Sequence, residues 1–246
     1  MAKTIILIPS RLAATRLPNK PLLNINNKSI IMHVYEKAIE SQIGDVYVAT
    51  CDQEIINEVK KNNGKTIKTS EKHKTGTDRI AEALEKLKDD NVDYIINLQG
   101  DEPLINVEDI ISLKKLSIEN NSDIATLACK IKDKKILSNP NIVKVITKKN
   151  LKNFKVSSAI NFRRIINDKD EKNIYHHVGI YIYKTSILKK FVNLSQSNNE
   201  KSNKLEQLRA LDNGVKIEVI LANSSPIGVD TEEDYMEIKK LMEYKD

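Results

Sequence analysis

The chain has 246 residues, 40% of them hydrophobic and 30% charged, and its 40 basic and 34 acidic side chains give a formal net charge of +6. This composition excludes a disordered chain and a polyanion-binding tail, and the length is enough for a sizeable core. No apolar run reaches the roughly 18 residues of a membrane span, and the first apolar run, Ile5–Ile8, is too short for a signal peptide. We therefore expect a globular protein of the cytoplasm.

Cysteine and arginine are both used sparingly. Cys51 and Cys129 lie far apart and form no metal-binding or redox spacing, so we expect two reduced thiols that serve in packing. Arginine occurs only at positions 11, 16, 79, 163, 164 and 209, and all other basic residues are lysine. Because arginine suits bidentate contacts to phosphate and carboxylate, each of these six is a candidate for a specific task.

The first half of the chain alternates apolar β-branched runs with helical periods. Predicted strands cover residues 4–9, 46–50 and 94–98, and predicted helices cover residues 30–40, 53–61 and 108–118. Gly64 is expected to end the second helix as its C′ residue, and a further amphipathic helix is expected after Thr77. This rhythm predicts a doubly wound α/β fold with a mostly parallel sheet and helices on both faces.

The pattern changes near residue 123. Strand-like segments follow at 124–131, 142–146 and 175–183, then a helix at 205–211, a strand at 215–221 and a helix at 232–244. We interpret the chain as a single domain over residues 1–246, with a mixed β-rich insertion at about 123–183 that carries a dimer contact.

The loop after the first strand carries three cations. Arg11, Arg16 and Lys20 follow Pro9 and Ser10, beyond the carboxyl end of a strand, where open α/β sheets bind ligands. Two guanidinium groups and one ammonium group suit a polyphosphate. The alternative is a solvated surface loop, but long loops in compact domains are commonly functional. The chain has no GxxxxGK[ST] motif, so this is not a P-loop.

Two aspartates are candidate Mg²⁺ ligands. Asp101 follows Gly100 at the end of the strand near residue 94, and Asp230 precedes a predicted helix. Mg²⁺ commonly takes one or two carboxylates and completes its coordination with water and phosphate oxygens. Each residue also has a plain alternative, a turn cap for Asp101 and a helix N-cap for Asp230.

Further candidate residues lie in three segments. Thr75, Gly76 and Arg79 open a predicted helix, whose N-terminus suits a base or a phosphate. His177 and Tyr181 are expected on one face of a strand, with His176 on the other. Glu206 and Gln207 are placed on the predicted 205–211 helix. Taken singly, the motifs have structural alternatives: a capped turn, a satisfied strand histidine and a solvated helix face.

The order of the motifs is more specific than any one of them. The sequence resembles the 3-deoxy-D-manno-octulosonate cytidylyltransferase (CMP-Kdo synthetase) family over nearly its whole length. Eight blocks carry the resemblance: Ile8–Arg11, Arg16–Leu22, Val48–Asp52, Thr75–Arg79, Asn97–Pro103, His177–Tyr181, Leu205–Arg209 and Gly228–Thr231. It implies a nucleotide-diphospho-sugar transferase-like, Rossmann-like α/β fold and a cytoplasmic homodimer. It also implies transfer of CMP from CTP to the anomeric 2-hydroxyl of Kdo, with release of pyrophosphate, for lipopolysaccharide synthesis.

The resemblance also implies roles for single residues. By this resemblance, the catalytic residues are Arg11, Lys20, Asp101 and Asp230. Asp101 and Asp230 would bind one or two Mg²⁺ ions. The residues implied to bind the nucleotide are Pro9, Ser10, Arg11, Arg16, Lys20, Thr75, Gly76, Arg79 and Asp101. The residues implied to bind the sugar acid are Gln99, His177, Tyr181, Glu206 and Gln207. Because His177 and Tyr181 belong to the β-rich insertion, the insertion contributes to the sugar site.

One departure and two rival functions accompany this interpretation. Many family members carry an arginine where this chain has Ser158, so an 8-amino variant of Kdo or another ulosonic acid is an alternative substrate, and Arg163 or Arg164 is a candidate replacement. A CMP-sialic acid synthetase shares the chemistry. From another class, the lysines near residues 130–155 suggest a polyanion binder, but only Phe154 supplies an aromatic ring there, so we expect a solvated face and no nucleic-acid partner.

Overall fold

The computed structural model describes residues 2–13, 16–166, 172–224 and 228–244. Its strands are β1 (Thr4–Pro9), β2 (Asn24–Ile25), β3 (Lys28–Ser29), β4 (Val46–Thr50), β5 (Thr66–Lys68), β6 (Tyr94–Asn97), β7 (Ile124–Cys129), β8 (Lys144–Thr147), β9 (Val156–Arg163), β10 (Ile174–Lys184) and β11 (Ile217–Leu221). Its helices are α1 (Ile30–Glu40), α2 (Gln53–Lys61), α3 (Gly76–Leu87), α4 (Val107–Glu119), α5 (Thr185–Val192), α6 (Asn198–Asn203), α7 (Leu208–Asp212) and α8 (Glu232–Glu243). The chain forms two compact units, residues 1–110 with 226–246 and residues 111–225.

The first unit is built on four parallel strands in the order β5-β4-β1-β6. Every residue of β1 is buried, as expected for a strand with neighbours on both sides and helices over its faces. Helices α1 and α2 contact β4, and α3 contacts β1. Because the strands are parallel, their carboxyl ends meet at one edge, and the loops that follow them gather there. The predicted doubly wound half is confirmed.

The end of α2 differs from the expected glycine cap. The left-handed residue is Asn63, with φ of 59°, and Gly64 follows it. Two hydrogen bonds form a Schellman closure: Gly64 N donates to Val59 O at 2.8 Å, and Asn63 N donates to Lys60 O at 3.0 Å. A Cβ on Gly64 would lie 2.5 Å from Val59 Cγ1, so the glycine serves close packing. The prediction of Gly64 at C′ was therefore wrong by one residue.

The start of α3 also lies earlier than expected. Thr75, not Thr77, is the N-cap, and its hydroxyl accepts a hydrogen bond from Asp78 N at 3.1 Å. Thr77 is buried in the first turn of the helix. The expectation that Thr75 and Gly76 open this helix is confirmed, and only the placement of its start after Thr77 was wrong.

The second unit contains five strands in the order β10-β7-β11-β9-β8, and β8 also pairs with β10. The pairings therefore close into a ring, which leaves no strand of the five with a single partner. The β7–β11 pair is parallel and the others are antiparallel, so the predicted mixed character is confirmed. Strand β9 and helices α5 and α6 were not predicted. Cys51 and Cys129 form no disulfide.

Candidate active site

A cavity of about 370 Å³ lies in the first unit, at the edge where the parallel strands end. Its walls come from the loop after β1, the segment that leads into α3, the turn after β6 and the segment before α8. All nine residues predicted to bind a nucleotide line it, and so do Gln99 and Asp230. The structure thus brings together four segments that are far apart in sequence.

The loop after β1 is anchored at two points. Leu12 N donates to the Asp52 carboxylate at 2.8 Å, which ties the start of the loop to the end of β4. Asn19 adopts φ of 58° and ψ of 17°, the left-handed conformation that asparagine tolerates, immediately before a 3₁₀ turn at Lys20–Leu22. Ala14 and Thr15 of this loop lie outside the described residues. These anchors fix Arg11 and Lys20 at the cavity wall.

Lys20 joins the two predicted metal-binding carboxylates. Its ammonium donates to Asp101 Oδ2 at 2.6 Å and to Asp230 Oδ1 at 3.3 Å. Arg16 Nη2 also donates to Asp230, at 3.2 Å. The two carboxylates therefore share one cation, although they are separated by more than half of the chain. This arrangement shows that both face the same point of the cavity.

The packing of the C-terminal segment explains the position of Asp230. Val229 is fully buried in a cluster with Ile25, Ile30 and Ile238. Its backbone N donates to the carbonyl of Asp101 at 2.9 Å. Thr231 caps α8 through a capping box with Asp234, so the cap that was an alternative role for Asp230 is supplied by its neighbour.

A third carboxyl group, that of Glu102, lies beside the two aspartates. Burial raises the pKa of Glu102 to about 8, and the charges of Asp101 and Asp230 act in the same direction. Its buried Oε2 has no hydrogen-bond partner within the described parts of the chain. With its pKa near 8, Glu102 is mainly protonated at neutral pH, so Asp101 and Asp230 are the two charged carboxylates that could hold a divalent cation here. No group of three or more His, Cys, Asp or Glu among the described residues is arranged as a metal cage.

The N-terminus of α3 forms the opposite wall. Arg79 is buried and donates to Thr69 Oγ1 at 2.5 Å and to Ser70 O at 3.2 Å. A Cβ on Gly76 would lie 3.1 Å from the Pro9 ring, so the helix start packs closely on the end of β1. A helix N-terminus at a cavity wall suits an anion or a base carbonyl.

Two further features of the cavity favour a polar ligand. The buried hydroxyl of Ser10 has no hydrogen-bond partner among the residues described, and it lines the cavity. A Cβ on Gly100 would lie 3.1 Å from Pro9 O and 3.2 Å from Ile31 Cδ1, so the strand end leaves no room for a side chain here. An unpaired buried hydroxyl is costly unless a ligand or water satisfies it.

His73 lines the cavity and was not predicted as a site residue. Its Nε2 contacts the Glu82 carboxylate, which also accepts from Ser70 N at 2.7 Å and from Lys86 Nζ at 2.7 Å. Although burial opposes it, hydrogen bonds from Lys86, Ser70 and His73 lower the pKa of Glu82 to about 2. The adjacency of His73 to the Thr75–Arg79 motif was the only available sequence signal.

In the second unit, His177 and Tyr181 lie side by side on β10. Their ring centroids are 5.4 Å apart, and Phe162 meets the other side of His177 edge-on at 5.2 Å. The prediction that His177 and Tyr181 share a face is confirmed. Burial raises the pKa of Tyr181 well above its usual value, and the charge of Glu206 acts in the same direction. Burial lowers the pKa of His177 to about 3, with a further contribution from His176.

The sequence predicted that Glu206 and Gln207 lie in a helix that begins at residue 205, and this prediction was wrong. Helix α6 ends at Asn203, Lys204 is left-handed, and α7 begins only at Leu208, with Gln207 as its N-cap. The two residues therefore occupy a turn. The left-handed Lys204 interrupts the helical period, and its lysine side chain gives no sequence signal for this conformation.

A buried ion pair holds this turn. Arg209 binds both carboxylate oxygens of Glu200, at 2.8 and 2.6 Å, and lies over the Phe191 ring at 4.9 Å. Its Nη2 also lies 3.7 Å from Glu206 Oε1. Although burial opposes it, the hydrogen bonds from Arg209 lower the pKa of Glu200. Arg209 thus connects α6, α7 and the turn between them.

Ser158 lies in β9, opposite Glu218 of β11. The guanidinium of Arg164, which follows the end of β9, donates to the carbonyls of Asn203, Lys204 and Pro140, at 3.0, 3.0 and 3.1 Å. Arg164 therefore closes the carboxyl end of α6. This structural role argues against the expectation that Arg164 binds the carboxylate of the sugar acid.

The chain matches the cytidylyltransferase family over residues 5–217. It belongs to this family. A 3-deoxy-manno-octulosonate cytidylyltransferase of Thermodesulfovibrio yellowstonii is 47% identical over 241 residues, with 94% of each chain covered. Another from Brucella anthropi is 42% identical over 234 residues, with 94% of this chain and 93% of that protein covered.

A solved structure gives the same answer for the fold. A CMP:2-keto-3-deoxy-manno-octonic acid synthetase complexed with CTP matches with a TM-score of 0.89 and 34% identity, and the match covers 100% of both chains. The expected α/β cytidylyltransferase fold is confirmed. Among the described residues, no helix is both long and apolar enough to cross a bilayer.

Proposed function

We propose that the protein transfers CMP from CTP to the 2-hydroxyl of Kdo and releases pyrophosphate. The observation that carries this proposal is the shared contact of Lys20 with Asp101 and Asp230 in a cavity that Arg11 and Arg16 also line. Cations for a triphosphate and carboxylates for a metal are thus assembled at one sheet edge. The family, and the names of relatives more than 40% identical to this chain, support the same reaction.

The cations of the loop after β1 bind the triphosphate. Arg11 and Arg16 offer guanidinium forks, Lys20 offers an ammonium group, and Ser10 offers its unpartnered hydroxyl. Pro9 lines the same wall. Thr75, Gly76 and Arg79 form the side that receives the cytidine, at the N-terminus of α3.

Asp101 and Asp230, whose carboxylates share one cation in this structure, would hold Mg²⁺. When bound, Mg²⁺ neutralises charge on the phosphate oxygens and on the departing pyrophosphate. Lys20, which bridges the two carboxylates in this structure, is within reach of the same phosphates. Lys20 would therefore add its positive charge to that of the metal at the phosphate oxygens.

The reaction is a direct displacement at phosphorus. The oxygen of the sugar 2-hydroxyl attacks the α-phosphorus, the bond to the bridging oxygen of the β-phosphate breaks, and the hydroxyl proton passes to solvent. Arg11, Arg16 and Lys20 stabilise the charge that develops on the phosphate oxygens. No covalent enzyme intermediate is required, so alignment and electrostatics supply the catalysis.

Gln99, His177, Tyr181, Glu206 and Gln207 contact the sugar acid. Support comes from the apolar packing of His177 against Phe162 and Tyr181, a surface that suits the face of a sugar ring. Glu206 and Gln207 lie in a turn held by a buried ion pair, so their backbone is fixed before the substrate arrives. With Ser158 in β9 and Arg164 engaged by three carbonyls, the sugar carboxylate is bound by other groups.

The active enzyme is proposed to be a cytoplasmic homodimer that supplies CMP-Kdo for lipopolysaccharide synthesis. Ile160 lies on β9 and Ile165 lies two residues after the strand ends. Both are exposed, at 59% and 45%, and they support a contact through the second unit. Residues 1–246 act as one cytidylyltransferase domain, with the β-rich part at about 123–183 as its subdomain. Sedimentation of the wild type and of Ile160→Lys tests the dimer, because a charge at the contact should give a monomer.

Pyrophosphate release tests the reaction. We expect release with Mg²⁺, CTP and Kdo, and none when ATP, GTP or UTP replaces CTP or when any component is omitted. Sialic acid and 8-amino-Kdo are tested beside Kdo. Because Ser158 stands where an arginine was expected to bind the sugar acid, this panel identifies which sugar acid the enzyme uses. Activity with CTP and only another sugar acid would reassign the substrate, and no release with any pair would refute the proposal.

A further inference from the structure

Thr126 lies in the middle of β7 and is fully buried. It faces an irregularity in β10, where the register changes from Val178 opposite Leu127 to Tyr181 opposite Thr126. Two residues, Gly179 and Ile180, are therefore extra on β10 at this point. Such a bulge re-aims neighbouring side chains.

The bulge explains how His177 and Tyr181 come into contact. Residues four apart on a regular strand are separated by about 13 Å, because each residue advances by about 3.3 Å. In β10 these two residues pair with Ala128 and Thr126, only two positions apart on β7, and their ring centroids are 5.4 Å apart. The bulge therefore brings the side chains of His177 and Tyr181, which a regular strand would keep apart, into contact.

The Thr126 hydroxyl stabilises the bulge from within. Its Oγ1 donates towards Ile180 O at 2.7 Å and Val178 O at 3.1 Å, and it lies 3.0 Å from His177 Nε2. A hydroxyl has one proton, and carbonyl oxygens only accept. The proton is therefore committed to the carbonyls, and the oxygen presents a lone pair to the imidazole. His177 Nε2 must carry hydrogen and donate it.

We propose that Thr126 is a positioning residue of the sugar site, which holds His177 in the Nε2–H tautomer so that Nδ1 accepts a hydrogen bond from a hydroxyl of the sugar acid. This inference rests on the proposed function, which assigns His177 to that substrate. It goes further because it states the direction of the hydrogen bond: Nδ1 of His177 accepts from the sugar hydroxyl and does not donate to it.

The surroundings of His177 agree with a neutral ring. Phe162 and Tyr181 pack on the imidazole, and burial lowers its pKa to about 3. Phe162 is apolar and Tyr181 is a neutral phenol, so neither ring supplies the negative charge that would stabilise an imidazolium. A histidine of this kind is a weak base, so it orients the sugar and does not remove the proton of the attacking hydroxyl.

Nitrogen NMR of the ¹⁵N-histidine-labelled free enzyme tests the tautomer, with His177→Asn used to assign the signal. We expect a pyrrole-type shift on Nε2, a pyridine-type shift on Nδ1, and no protonation of the ring between pH 5 and 8. In Thr126→Val, which removes the hydroxyl at nearly constant shape, the fixed tautomer should give way to a mixture. A protonated Nδ1 in the wild type would overturn the proposal.

Kinetics test the consequence for the substrate. We expect Thr126→Val to raise KM for the sugar acid about tenfold, the effect of one lost hydrogen bond, while KM for CTP changes less than twofold. Thr126→Ser, which keeps the hydroxyl, should restore both the tautomer and KM. An unchanged sugar KM in a folded Thr126→Val protein would overturn the inference.

The two proposals fail in different ways. The tautomer is measured without substrate, so it stands or falls independently of the reaction. If no sugar acid supports pyrophosphate release, the proposed function fails even when the NMR result is as expected. If Thr126→Val does not fold, the wild-type tautomer and the Thr126→Ser kinetics still decide the matter.

Discussion

Lys20, Asp101 and Asp230 form the smallest group of residues on which the proposed chemistry depends. The ammonium lies 2.6 Å from one carboxylate and 3.3 Å from the other, so the site already balances its charge with a cation. Removing one carboxylate charge weakens cation binding without altering the shape of the cavity, because asparagine is isosteric with aspartate.

We expect Asp101→Asn and Asp230→Asn each to lower kcat by at least about 100-fold, since each removes a ligand of the proposed metal. The measurement is pyrophosphate release at saturating CTP and Kdo, with circular dichroism to confirm the fold. Asp90→Asn, at an exposed position of the same unit, is the matched control. Near-wild-type turnover in either variant would remove that residue from the metal site.

Glu82 links acid stability to the cavity wall. Its folded pKa of about 2 lies below the ordinary value of 4.5, so its stabilising contribution is present above pH 4.5 and is lost as the pH falls towards 2. After allowance for partial exposure, we expect Glu82→Gln to lower the free energy of unfolding by about 1–2 kcal/mol at pH 7.

Urea unfolding of wild type and Glu82→Gln between pH 7 and pH 3 measures this difference. The gap should narrow below pH 4.5, whereas Glu85→Gln, exposed on the same helix, should show little gap at any pH. A difference that is independent of pH would show that the carboxylate charge is not the cause.

The nucleotide cavity could be predicted from the sequence to a large extent. Strand ends and short motifs place Arg11, Thr75 and Asp101 at one sheet edge, and all nine predicted nucleotide residues line the cavity. Residues that act through others could not be found in this way. Thr126 is a threonine in an apolar strand, and only the bulge opposite it gives its hydroxyl three neighbours.

At the scale of elements, the turn between α6 and α7 depends on the Glu200–Arg209 ion pair. Both side chains are about 95% buried, so breaking the pair leaves an uncompensated charge in the interior. We expect Glu200→Gln to lower the free energy of unfolding by about 3 kcal/mol, measured by urea denaturation.

Activity provides a second test of the same pair. Because Arg209 also lies near Glu206, Glu200→Gln should raise KM for the sugar acid and leave KM for CTP nearly unchanged. Glu237→Gln, an exposed glutamate on α8, is the control. An equal rise in both KM values would indicate a general loss of structure and not a local one.

Element prediction succeeded where burial dictated the pattern. The bounds of β1, α1, β4 and α2 were predicted correctly, because fully buried strands and amphipathic helices carry strong periodic signals. It failed where backbone geometry, not side-chain pattern, ends an element. Left-handed Asn63, not Gly64, occupies the C′ position of α2, left-handed Lys204 ends α6, and strand β9 alternates too irregularly to be recognised.

At the scale of the whole molecule, nucleotide binding should stabilise the folded state. With free CTP at 100 times its Kd we expect a gain of about 2.7 kcal/mol, or roughly 5–10 °C in Tm, and a much smaller gain with ATP, GTP or UTP. Thermal unfolding followed by fluorescence measures the shift.

Arg11→Ala is the informative variant for this measurement, because Arg11 is exposed and lines the cavity. It should keep the Tm of the free protein and lose most of the CTP shift. Equal stabilisation of wild type and variant by all four nucleotides would show that CTP is not bound in this cavity.

The central claim is that CMP itself is transferred to the sugar acid. Incubation with CTP labelled at the α-phosphorus, Mg²⁺ and Kdo, followed by separation of the products, tests this most directly. We predict that the label appears in CMP-Kdo while the released pyrophosphate is unlabelled. Label recovered only as free CMP, or as unreacted CTP in the presence of Kdo, would contradict the account.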